Sequence, residues 1–170
     1  MKQGTMSVLL GCHSVMHSCV VILAWKHLYG SFPSGWETIC ILLHDIGHWG
    51  KDYLDNVEDK RQHAILGAKV AGRLFGQKGY ELIVGHNPYI SNYRSRLFEP
   101  DKHSWLIAPK WWMWMNTVFE PKLIRPGYSR LESVNMFKEA MLENSQQGYK
   151  KQGHDIYLEQ WQKAKEAAND

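Results

Sequence analysis

Ile41-Leu42-Leu43-His44-Asp45-Ile46-Gly47-His48-Trp49-Gly50-Lys51 is the stretch on which the fold turns. An apolar run ends in an imidazole beside a carboxylate, followed at once by a glycine and a second imidazole. Such groups are costly at the end of a buried segment unless something binds them. Upstream, Trp36, Ile39, Leu42 and Leu43 follow the turn residues Ser34 and Gly35, which predicts a helix that delivers His44-Asp45 at its C-terminal end. Gly47 and Gly50 weaken any helix beyond that point.

The rest of the chain repeats the helical period. Val8, Leu9, Met16, Val20, Leu23 and Leu28 predict one long helix over residues 6 to about 29. The polar residues 51–61 read as a loop across the site. A helix over about 62–75 carries Ala and Gly at positions that permit close packing against a neighbour. Residues 80–86 form a short helix stopped by Asn87-Pro88. Residues 92–100 connect it to a fifth helix starting at Pro100 or Asp101, since proline suits a first helical turn. The block Lys110-Trp111-Trp112-Met113-Trp114-Met115 follows. Pro121 and Pro126-Gly127 then break the chain, and 129–147 and 154–168 are polar amphipathic helices. With no strand alternation and no repeat, the expected class is all-α, in one domain over residues 1–170.

Composition narrows the function. The 170 residues are 44% hydrophobic and 22% charged, with a formal charge of +3, ordinary values for a globular chain. No basic stripe points to a nucleic-acid polymer. Three cysteines without a CxxC pair argue against a disulfide framework or thiolate zinc site and for a reducing, cytoplasmic setting. Leu9-Leu10-Gly11-Cys12 looks like a lipoprotein cleavage site, but the apolar stretch before it is too short for a signal. No window reaches the ~20 apolar residues of a membrane span.

Of nine histidines, His13, His44, His63 and His86, with Asp45 and Asp101, fall on different expected elements apart from the adjacent pair. Helical bundles build metal sites in this way, from inward-pointing ligands on facing helices. Nitrogen and carboxylate ligands suit divalent Mn, Fe, Co, Ni, Zn or Mg. Six ligand residues exceed the need of one ion with an open position. Two ions ~3.5–4 Å apart, bridged by Asp45, would use them all.

These motifs resemble the HD-domain metal-dependent phosphohydrolase superfamily, whose pattern is H…HD…H…H…D. His44-Asp45-Ile46-Gly47 matches its HD-[IV]-G core. Gln62-His63-Ala64-Ile65-Leu66-Gly67-Ala68 matches the H-x-x-x-G-A segment. Ser95-Arg96-Leu97 with Asp101-Lys102 is similar to an S-K-L…A-D-K stretch, with Pro100 in place of the usual alanine. The resemblance covers about residues 13–115 and leaves the C-terminal helices as an extension.

The resemblance implies that His13, His44, Asp45 and Asp101 hold one ion and His63 with His86 a second. A water made acidic by the ions attacks phosphorus in line. The implied substrate is a phosphate ester or phosphoanhydride, in the first instance a nucleotide. His48 and Asp45 are the expected catalytic groups, and Lys51, Arg96 and Lys102 the expected substrate contacts. His13 is favoured over His17 as first ligand because its separation from His44 suits the family better. His17 is then a packed residue hydrogen-bonded to a carboxylate. Tyr89, Tyr93 and Arg96 are expected near the substrate mouth. The tryptophans at 111, 112 and 114 are expected in the core or in a homodimer seam rather than as a base-stacking surface. Two rival readings use the same residues: an HD-type di-iron oxygenase, and a non-catalytic nucleotide binder.

Overall fold

The computed structural model describes residues 7–50 and 57–168, and Lys51 lies outside them. The protein is all-α. Helix α1 spans Val15–Tyr29 and α2 Gly35–Leu43. Ser34 starts α2 with a reciprocal capping box, its backbone amide donating to Glu37 Oε2 at 2.8 Å, which satisfies donors that a helix start leaves open. One 3-10 turn, Ile46–His48, follows directly. Then come α3 (Val57–Gln62), α4 (Ala64–Phe75), α5 (Gln77–Val84), α6 (Phe98–Ile107), α7 (Lys110–Phe119), α8 (Arg130–Gln146) and α9 (Gly153–Ala167).

Two expectations are corrected. The long first helix begins only at Val15, because residues 7–14 fold back on themselves: Val15 N–H donates to Val8 O and Met16 N–H to Leu9 O. The Trp112 indole holds this loop through Leu10 O at 2.8 Å, and the Trp49 indole through His13 O at 2.8 Å. The polar stretch expected as a loop carries α3 in its second half.

Helix α1 separates two apolar clusters. One face packs Val21 and Trp25 against Cys40 and Ile41 of α2, Ala64, Ala68 and Ala71 of α4, and Ile83 of α5. The other packs Val20 against Trp112 and Met113 of α7 and Val134 of α8. The tryptophans of α7 therefore part company. Trp112 is fully buried, whereas Trp111 and Trp114 are exposed, Trp114 beneath the Arg130 guanidinium.

Small residues set the close approach of α4 to α2. A Cβ at Gly67 would sit 2.1 Å from the Leu43 carbonyl oxygen, and one at Gly47 1.9 Å from the His63 carbonyl oxygen. Only hydrogen fits at either position. The glycines of the HD-I-G and H-x-x-x-G-A segments are thus the contact that brings His63 to the end of α2.

Candidate metal centre

Each side chain of the cluster is delivered by the end of a helix or a junction. His44 caps the C-terminus of α2, and Asp45 follows with φ −109° and ψ 9°. His86 stands two residues beyond α5, His63 at the junction of α3 and α4, His17 in the first turn of α1, and Asp101 in the first turn of α6. Helix C-termini leave carbonyls without intrahelical partners, and two imidazoles use them. His44 Nδ1 lies 2.5 Å from Ile41 O, and His86 Nδ1 bonds Ile83 O. Those contacts place a proton on Nδ1 of each ring and turn Nε2 inward, the orientation a metal ligand requires.

Asp45 is the centre of the arrangement. Its Oδ2 lies 2.9 Å from His13 Nδ1, 3.4 Å from His17 Nε2 and 3.3 Å from His44 Nε2. Its Oδ1 lies 3.3 Å from His63 Nε2, 3.7 Å from His86 Nε2 and 3.9 Å from His48 Nε2. Three ligand groups share it: His17, His44, Asp45 and Asp101; Asp45, His63 and His86; and His13, Asp45 and His48. His13, His48 and His63 stack, with ring centroids 3.8 and 4.2 Å apart.

The predicted ligands are thus gathered at one point, with a change of grouping. His17, expected as a packed residue hydrogen-bonded to a carboxylate, has that bond, its Nε2 3.1 Å from Asp101 Oδ1, and groups with His44 and Asp101 as well. His13 pairs instead with His48. The reason is the fold-back of residues 7–14, which places His17, not His13, on the first turn of α1.

Lys102 is buried, with Nζ 2.6 Å from Asp101 Oδ2, and it lines the cavity over the cluster. Arg96 does not. Its guanidinium pairs with Glu37 Oε1 at 3.2 Å and lies over Trp25 and Tyr29, because the chain before α6 crosses the α1–α2 face there. Tyr93 is likewise turned aside, to Glu81 O. Tyr89 reaches the cavity and donates to Asp155 Oδ1 of α9 at 2.7 Å. His27 and His103 contact each other near the surface.

Electrostatics call for positive charge at the centre. Burial alone would raise the Asp45 carboxyl, but His44 and His13 hold it well below the usual carboxylate range. Burial opposes ionisation of Asp101 too, and Lys102 and His17 override it. Burial likewise opposes a charge on His44, yet Asp45 and Asp101 lift its pKa to about 10. His86, with burial dominant, is pulled down to about 4.

His44 Nε2 is the sharpest test of fit for a cation. It is fully buried without a hydrogen-bond partner, yet it lies 3.3 and 3.6 Å from oxygens of two ionised carboxylates. A lone pair facing anionic oxygens at that range is stable only with a proton or a metal ion between them. The donor set, imidazole nitrogen with carboxylate oxygen, is that of divalent first-row metals. A buried His/Asp cluster able to hold a metal ion is therefore present.

Comparison with family models, with curated proteins and with solved structures gives no match to this chain. Among the described residues, no helix is long and apolar enough to cross a membrane.

The cavity above the cluster runs away from the motif region. Asn116, Arg125, Phe137, Gln152 and Tyr157 wall it, all from α7 onward. Nothing in the spacing of these residues distinguishes them from an amphipathic surface. His17 carried a faint signal, lying one helical turn from His13. Asn87 carried none, although its side-chain amide ties Arg61 O (2.9 Å) and contacts His63 Nδ1 (3.3 Å).

Proposed function

We propose that this protein is an HD-type phosphohydrolase that works with one or two divalent cations on a phosphorylated small molecule. The observation that carries the reading is the shared position of Asp45 between the His17–His44–Asp101 group and the His63–His86 pair. Such sharing would let Asp45 take part in holding one or two divalent ions. His17, His44, Asp45 and Asp101 would hold one, and Asp45, His63 and His86 the other. When bound, divalent ions offset phosphoryl charge and make a water acidic enough to be a nucleophile near neutral pH.

The chain's own groups do the rest. His44 and His86 keep their orientation through the Ile41 and Ile83 carbonyls. Lys102 faces the cavity from beside Asp101 and supplies a fixed cation for a phosphoryl oxygen. His48 is held between the rings of His13 and His63 and is placed to move a proton at Nε2, on the cavity side of Asp45. The wall of Trp105, Met113 and Phe137 limits water around the reacting group.

The test is metal analysis of the purified protein, then phosphate release from a panel of phosphomonoesters, nucleotides and dinucleoside polyphosphates with Mn, Co, Ni or Mg. Asp45→Ala should keep its helical circular dichroism and lose bound metal. Turnover should fall well beyond the ~10–100-fold typical of outer-partner changes. Full activity in Asp45→Ala would remove the proposal. Oxygen uptake without phosphate release by the iron-loaded protein would replace it with the oxygenase reading.

A further inference from the structure

The end of the cavity formed by the C-terminal segment carries a cation, Arg125, that pairs with no carboxylate among the described residues. Arg125 is 3% exposed and lines the same cavity as Asp45 and Lys102. Its guanidinium lies 4.9 Å from the ring centroid of Tyr157 and 5.7 Å from that of Phe137. Its polar partners are neutral: Leu123 O at 2.7 Å and Gln160 Oε1 at 2.6 Å. Nε has no hydrogen-bond partner.

Among the described residues no carboxylate is paired with Arg125. The titratable groups acting on it are the Tyr157 hydroxyl and the Cys12 thiol. Glu120, on the same wall, accepts from the Cys12 amide at 3.2 Å. Burial lowers the Arg125 pKa to about 10, which leaves it a cation under ordinary conditions. A buried charge is normally paired, and guanidinium is well shaped for carboxylate and phosphate. The cavity that Arg125 lines gives such an anion a way to reach it.

We propose that the ligand of this cavity is anionic at both ends. The reacting phosphoryl group sits at the His/Asp cluster. An apolar body lies against Trp105, Met113 and Val134, and a second anionic group, carboxylate or phosphate, rests on Arg125. The reacting end rests on the phosphohydrolase reading; the Arg125 end stands on its own observations.

The experiment uses the Mn-loaded protein and four compounds: phenyl phosphate, 4-carbamoylphenyl phosphate, 4-carboxyphenyl phosphate and 1,4-phenylene bisphosphate. The carboxylate or the bisphosphate should show a KM at least tenfold lower than the carbamoyl compound, and which of the two wins identifies the second anion. Arg125→Gln should erase that preference, and Arg125→Lys should retain part of it. A merely structural arginine would shift all four compounds together. Calorimetric binding of the same compounds is measured alongside. Selective, Arg125-dependent binding without phosphate release removes the hydrolase reading and keeps this one. Equal KM and equal binding for carbamoyl and carboxylate compounds in the wild-type protein overturn it. If Arg125→Gln is insoluble, the wild-type preference and Arg125→Lys decide.

Discussion

Two imidazole protons govern what the cluster can hold. On His86 the proton stays on Nδ1 against Ile83 O, so above its pKa of about 4 Nε2 has a lone pair to offer an ion. On His44, Asp45 and Asp101 retain a second proton up to about pH 10, and an ion taking Nε2 must displace it. The apparent metal affinity should therefore rise about tenfold per pH unit between about pH 7 and 9, with about one proton released on binding. Calorimetry in buffers of unlike ionisation enthalpy measures this. An affinity flat across that range would exclude His44 Nε2 as a ligand. At this scale the sequence was most informative, since adjacent His and Asp after an apolar run have few stable interpretations. It was least informative for Arg125, which lies between two proline breaks with no neighbour in sequence to suggest that it lines the cavity.

At the scale of elements, the pairing of α2 with α4 decides whether the cluster assembles. The Leu43 and His63 carbonyls leave no room for a methyl group at Gly67 or Gly47. Gly67→Ala should cost at least the upper part of the ~1–3 kcal/mol seen for overpacked cores. It should also lower metal content, because α4 can retreat only by taking His63 with it. Gly35→Ala is the control, with open space around the added carbon; it should be neutral or stabilising by a few tenths of a kcal/mol or more. Urea unfolding with metal analysis compares the two, and equal losses would refute the packing argument. The small-residue pattern of α4 was readable beforehand as a close contact. The fold-back of residues 7–14 was not, because apolar spacing in Val8, Leu9 and Met16 suits a helix. Long-range bonds from Trp49 and Trp112 hold the loop instead.

At the scale of the molecule, the metal-free protein should be pressed from both sides of neutral pH. As pH falls from about 6.5 towards 4, the unfolded chain takes up a proton that folded His86 refuses, so stability drops. Below that, protonation of Asp45 and Asp101 in the unfolded state adds to the loss, since both are held low in the fold. On the other side, the stability from protonated His44 is complete below about 6.5 and is lost as pH rises towards 10. With metal in place of that proton, the alkaline loss should disappear. Thermal melts from about pH 5 to 9, with and without a chelator, check this. Chelation should lower the melting temperature at every pH if the ions bind only the folded chain, and most steeply on the alkaline side. Coincident profiles would show that no ion stabilises the fold.

The sequence by itself determined the all-α class and which residue types could meet around Asp45, because helical periodicity and costly buried polar groups are local properties. Tertiary structure alone decided which histidine joins Asp101, that Arg96 turns to Glu37, and that the C-terminal helices wall the cavity. Those outcomes depend on how distant segments exclude one another and satisfy each other's polar groups, and no stretch of chain encodes that in its own spacing.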